Sequence, residues 1–245
     1  MRGTTTVTIS VMAMLLPGVS VASASTVRKA RSKCLPKHAH IIAANRKAEI
    51  FAASDPPGLD EYVDVYGCVN GGSRTYHLGA LPSISSQGTE GVQDETLAGT
   101  VVAYEEYSVG GYYSRQQERR VVVRDLRNGR VLHRVPTGVP LNPEPEVVGV
   151  GNVVAIVVKS DGAVAWIADD YGRTVRPTAL SEFPYFDLEA VDRSGSRLLA
   201  SGTGIDPSSL ALSVGGVNIG RGSGGLPGTT LYWTQAGHLF SSLLN

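Results

Sequence analysis

The chain has 245 residues, with 22 basic against 22 acidic side chains, 42% hydrophobic residues and 29 glycines. That balance argues against a dedicated nucleic-acid binder or a polybasic membrane sensor, since both need clustered cationic charge. The glycines have no period of three and the Val/Ile/Leu runs are long, so neither collagen-like order nor a disordered chain fits; the length suits one large all-β domain or two small ones.

Residues 1–24 read as a secretory leader. Arg2 is the only charge, an apolar stretch runs from Val7 to Leu16, and Pro17-Gly18 breaks it. Small residues at Ala22 and Ala24 place the expected cut after Ala24. About ten apolar residues are too few to span roughly 30 Å of hydrocarbon, so a retained anchor is the weaker reading. Cleavage leaves residues 25–245 as a single domain of net charge −1, expected outside the cytoplasm and not inserted in a membrane. In that oxidising setting the two cysteines, Cys34 and Cys68, are expected to form a disulfide.

Beyond the leader the chain shows short β-like runs separated by Gly, Asp and Asn. Residues 41–53 admit a helix, but the later segments favour strands. Four segments share an apolar, small-residue core: 48–52, 99–103, 151–155 and 197–201. Apolar on both faces, each is expected to be the inner strand of a unit. A hairpin follows each one. These are 62–66 to 75–78 through Asn70-Gly71-Gly72, and 120–124 to 131–133 through Asn128-Gly129. The other two are 163–167 to 174–175 through Tyr171-Gly172, and 231–234 to 239–240 through Ala236-Gly237. Asn-Gly is the strongest of these turn signals, because both residues accept positive φ. A short strand is expected before each inner strand, as at 146–150 and 187–191. Four-stranded units at a spacing of 45–52 residues are the mark of a β-propeller.

Val121-Val122-Val123-Arg124-Asp125-Leu126-Arg127-Asn128-Gly129-Arg130-Val131 resembles the turn between outer strands of WD40-like, PQQ-like and TolB-like blades. Ala190-Val191-Asp192-Arg193-Ser194-Gly195-Ser196-Arg197-Leu198-Leu199 is similar to the entry of the same blades. The layout as a whole resembles that of secreted actinobacterial proteins. The expected fold is therefore all-β and propeller-like, with about four four-stranded antiparallel units; a two-sheet β-sandwich is the alternative.

Chemistry is harder to find. Four of the ten tyrosines lie in 104–113, so Tyr104, Glu105, Glu106, Tyr107, Tyr112 and Tyr113 are the candidate binding loop. The competing reading is a hairpin whose aromatics pack on neighbouring strands. Gly220 to Gly225 satisfies G-x-G-x-x-G, yet Pro227 and a β-like run follow where a phosphate-binding helix would be needed. His38 and His40 lack a third ligand, and no metal or other cofactor is expected. His77, His133 and His238 fall in last strands and read as surface residues. There is no G-x-S-x-G elbow. Glu105-Glu106 and Asp169-Asp170 are neighbours, so on a strand they would point to opposite faces and form no facing acid pair.

No catalytic residue is assigned. The favoured function is a secreted, non-catalytic binding or scaffold protein, its partner an unknown protein, peptide or glycan of the cell envelope or exterior, with no nucleic acid. The alternative is a secreted glycosidase-like hydrolase with carboxylates converging at the propeller axis.

Overall fold

The computed structural model describes residues 33–54, 63–81, 88–110, 117–137, 147–148, 151–169, 184–213 and 229–245. All belong to one compact unit that spans Ser32–Asn245. The leader and the Gly-rich stretch 220–225 lie outside the described residues.

The described residues contain strands and turns and no helix. Four antiparallel sheets follow one another along the chain. The first holds β1 (His40–Ala44), β2 (Ala48–Ser54), β3 (Val63–Val69) and β4 (Thr75–Ala80) in that order. The second holds β5 (Gly88–Ala98), β6 (Val101–Gly110), β7 (Gln117–Asp125) and β8 (Arg130–Pro136), with β9 (Val147–Val148) joined parallel to β7. The third holds β10 (Val153–Val158), β11 (Val164–Asp169), β12 (Tyr185–Asp192) and β13 (Gly195–Thr203). The fourth holds β14 (Ile205–Leu212), β15 (Thr229–Gln235) and β16 (His238–Leu244). The architecture is all-β and propeller-like, and 41–53 is two strands and their turn.

Turn chemistry sets the hairpins. At the β7–β8 turn Asp125 Oδ1 accepts the Arg127 amide at 2.9 Å, Asn128 Oδ1 accepts the Arg130 amide at 2.9 Å, and Gly129 takes φ 74°. At the β15–β16 turn Ala236 and Gly237 have φ 50° and 79°, the all-positive pattern of a two-residue hairpin loop.

Three apolar layers lie between successive sheets. Ile50, Val65 and Leu78 of the first meet Val92, Val102 and Val122 of the second. Val101, Ala103, Val121 and Val123 present the opposite face of the second to Val158, Val164 and Trp166 of the third. Ala165, Ile167 and Leu188 then meet Leu231, Trp233 and Leu244 of the fourth. Four sheets stacked in series replace the two-sheet sandwich alternative. The series is open. The outer face of the first sheet is covered by the segment of Cys34, Leu35 and Ala39, not by the fourth sheet, on whose strand β16 Leu239 is 69% exposed.

The first strands pack against one another, β1 on β5, β5 on β10 and β10 on β14. Two of the four expected inner strands are corrected. Residues 48–52 and 99–103 lie largely in β2 and β6, second in their sheets with one strand before each, as expected; 151–155 runs into β10, which opens its sheet with no strand before it, and 197–201 lies in β13, last in the third sheet. The reason is burial. A second strand has neighbours on both edges and packed chain over both faces, so it carries the continuous apolar run: Ala48, Ile50, Phe51 and Ala52 are all buried. Residues 187–191 pair with β11 on one side and with 197–201 on the other, so both segments complete the third sheet and do not open the fourth. Val147–Val148 joins the second sheet, not the third. The expected return at 174–175 lies outside the described residues.

Candidate functional site

The connections β1–β2, β3–β4, β5–β6, β7–β8, β10–β11 and β12–β13 are tight turns, and the antiparallel order brings them to one end of the molecule. The longer connections β2–β3, β4–β5, β6–β7 and β11–β12 leave from the other end, where β6 finishes and β7 begins. Residues 104–107 approach that end inside β6, as strand residues and not as a loop; Tyr112 and Tyr113 lie outside the described residues. The β-branched run at 101–102, unbroken pairing with β7 and pairing with β5 on either side of a bulge opposite Tyr104 carry the strand through the tyrosines.

Alternation along β6 then separates the neighbours. Glu105 faces the third sheet and is fully buried. Its Oε1 accepts Arg119 Nη1 at 3.1 Å and the backbone amide of Val153 at 3.3 Å, and its Oε2 accepts Gln93 Nε2. Burial pushes the Glu105 carboxyl above its ordinary value, offset in part by Arg119 and by the hydrogen bonds. Arg119 also lies over the Tyr107 ring, 5.2 Å from its centroid. This carboxylate ties the second sheet to the first residue of β10. Enclosed and holding three donors, it has no access to a substrate, so its role is structural.

Glu106 faces the first sheet. Tyr104, one step away on the same face, is buried, and desolvation pushes its hydroxyl up to about 12 against the opposing pull of Arg124. Arg124 Nη1 donates to the carbonyl of His77 at 3.0 Å and so fastens β7 to β4. Beyond these contacts the first two sheets diverge and leave a cleft of about 370 Å³. Its floor is Leu78, Gly79, Ala80, Gly91 and Val92; its charged wall is Glu106, Glu118, Arg120 and Arg134, with His77, Tyr107 and Ser108 at its margins. The floor is closely packed at its glycines: a methyl group added at Gly91 would come within 3.0 Å of the Tyr107 hydroxyl and 3.1 Å of the Ala80 carbonyl oxygen, so one of them would have to shift.

The wall follows from sheet register. Glu106 is directly opposite Arg120 on β7, Ser108 is opposite Glu118, and Val122 places Arg134 of β8 one row further in. Arg134 Nε donates to Glu106 Oε2 at 3.0 Å and Arg134 Nη2 donates to the same oxygen. Arg120 Nη2 lies 2.8 Å from Glu118 Oε2. Both pairs reach solvent, with Arg134 51% and Glu106 34% exposed at the side chain, so their partners exchange at small cost. The first sheet adds His77, whose Nε2 is 3.1 Å from Asp64 Oδ1.

Of the six candidate loop residues, then, the fold brings Glu106 and Tyr107 to the cleft and sends Tyr104 and Glu105 into packed interiors. Arg120, Arg134 and Glu118 are cleft residues that sequence reasoning missed; the alternating Glu118-Arg120 on β7 is the signal that marks them. Cys34 and Cys68 form the expected disulfide. Among the described residues no three of His, Cys, Asp or Glu are grouped to hold a metal ion. Comparison with protein-family models, with curated proteins and with solved structures found no match for the chain.

Proposed function

We propose that the protein is an extracytoplasmic binding protein and that the cleft between the first two sheets takes its ligand, a peptide or glycan of the cell envelope or exterior. The observation that carries this reading is the cleft itself: about 370 Å³, formed by five strands of two sheets, four of which give it polar side chains. The carboxylates favour binding over hydrolysis. A glycosidase needs two carboxyl groups facing each other across a bond, one of them protonated, whereas Glu106 and Glu118 each hold an arginine.

Screening peptides and oligosaccharides by thermal shift should find ligands that stabilise the protein, and Arg134→Met should weaken them at least tenfold with the far-ultraviolet spectrum unchanged. Ligands that bind both forms equally would move the site elsewhere.

The disulfide supports placement outside the cytoplasm. Protein recovered from culture fluid should have the intact mass of a chain beginning at Ser25 and carrying one disulfide. Retention in the cells with residues 1–24 still attached would overturn the secretion reading.

A further inference from the structure

We propose that the cleft recognises a zwitterionic ligand of the α-amino-acid class, a free amino acid or a short peptide with free termini, whose carboxylate takes Arg134 and Arg120 and whose ammonium takes Glu106 and Glu118. This rests on the cleft being the binding site.

The wall carries two arginines and two glutamates, so its fixed charges cancel. A simple anion that captured Arg134 would take from Glu106 its hydrogen-bonded partner and set a like charge beside it, with Arg120 already held by Glu118; a simple cation that captured Glu106 would leave Arg134 beside a like charge in the same way. A ligand with both charges opens each pair and replaces both halves, so no charge is left without a partner.

Position supports the same assignment. On this face of the second sheet Arg134 lies on edge strand β8 in the row of Tyr104 and Val122, Arg120 and Glu106 share the next row, and Glu118 lies in the row after that, near the start of β7. The wall is thus positive toward β8 and negative toward β6. A carboxylate is drawn toward β8 and an ammonium toward β6.

The pair to be opened is also incompletely matched. Arg134 Nε and Nη2 converge on the single oxygen Glu106 Oε2, so Glu106 Oε1 takes no part in that pair. A ligand carboxylate can instead meet the guanidinium edge with both oxygens, the geometry for which arginine is best suited. The floor admits the head group closely, since Gly79, Ala80 and Gly91 project almost nothing into the cleft.

Isothermal titration of the disulfide-intact protein tests this with the common L-amino acids and diglycine, each also in N-acetylated and C-amidated form. The expected result is binding of unblocked ligands, at least tenfold weaker when either end is blocked. Glu106→Gln and Arg134→Met should each weaken it by a similar factor. Acetylated ligands that bind as well as free ones, or a Glu106→Gln protein that binds them more tightly, would overturn the proposal in favour of a plain anion site. Arg134-dependent binding of neutral oligosaccharides without any amino acid would overturn it too, while leaving the cleft as the ligand site. The blocked ligands probe unmodified protein, so the result does not depend on either variant folding.

Discussion

Replacing both Cys34 and Cys68 by serine is expected to lower unfolding free energy by about 3–4 kcal/mol and the melting temperature by roughly 10 °C. The bond joins residues 34 apart in sequence, and on the chain-entropy account closing a loop of that size removes freedom mainly from the unfolded chain. The folded state contributes as well. The disulfide packs with Phe51, which stacks on Tyr66 at a centroid distance of 5.7 Å, and the segment of Leu35 and Ala39 covers this cluster. Without the bond that cover is held less firmly, so the outer face of the first sheet gains solvent exposure. Denaturant titration with and without reductant measures the effect; a loss below about 1 kcal/mol would mean that packing alone holds the cover in place.

Asp192→Ala should cost a similar amount, about 3–5 kcal/mol, because it strands a paired cation and several donors. Asp192 sits at the end of β12 with its side chain fully buried. Its Oδ1 accepts Arg197 Nη1 at 2.7 Å and the Ser194 amide at 2.8 Å, and its Oδ2 accepts Arg197 Nη2 and the Asn245 amide, each at 2.8 Å. Arg197 donates onward to the Leu243 carbonyl at 2.7 Å, and Lys159 Nζ to the Leu244 carbonyl at 2.9 Å. The end of β16 is therefore clamped to the third sheet through one carboxylate.

The hydrogen bonds from Arg197, opposed by desolvation, hold the Asp192 carboxyl well below the ordinary aspartate range. The sign follows directly. A lowered folded value adds stability that is fully present above the unfolded value near 4 and disappears as pH falls through the folded one. Asp192→Asn should thus be destabilised most at neutral pH, and its deficit should shrink on acidification. A deficit independent of pH between 7 and 2 would remove the charge from the account.

Much of this was legible before any coordinates. The hairpins at Asn128-Gly129 and Ala236-Gly237 were readable because local φ preferences set them, and the pairing of the two cysteines followed from compartment and count. The opposite orientation of Glu105 and Glu106 followed from strand alternation, and it separates a structural carboxylate from a cleft carboxylate. Strand order was legible in the first two sheets and not in the last two. Unbroken apolar runs report how deeply a strand is buried, so they marked β2 and β6, whereas the first strands β1, β5 and β14 are shorter in apolar content or interrupted. Pro207 and the bulge between Asp206 and Ala211 hid β14, and its loss shifted the boundary between the third and fourth sheets.

By itself, then, the sequence determined an all-β chain of repeated hairpins with one disulfide, since periodicity, turn residues and cysteine number are local properties. Tertiary structure alone decided which strands lie first in the last two sheets, that the stack of four stays open, and that Glu106, Arg120 and Arg134 share a cleft. Those outcomes depend on register between strands distant in the chain and on the divergence of two packed sheets, and no local pattern encodes either.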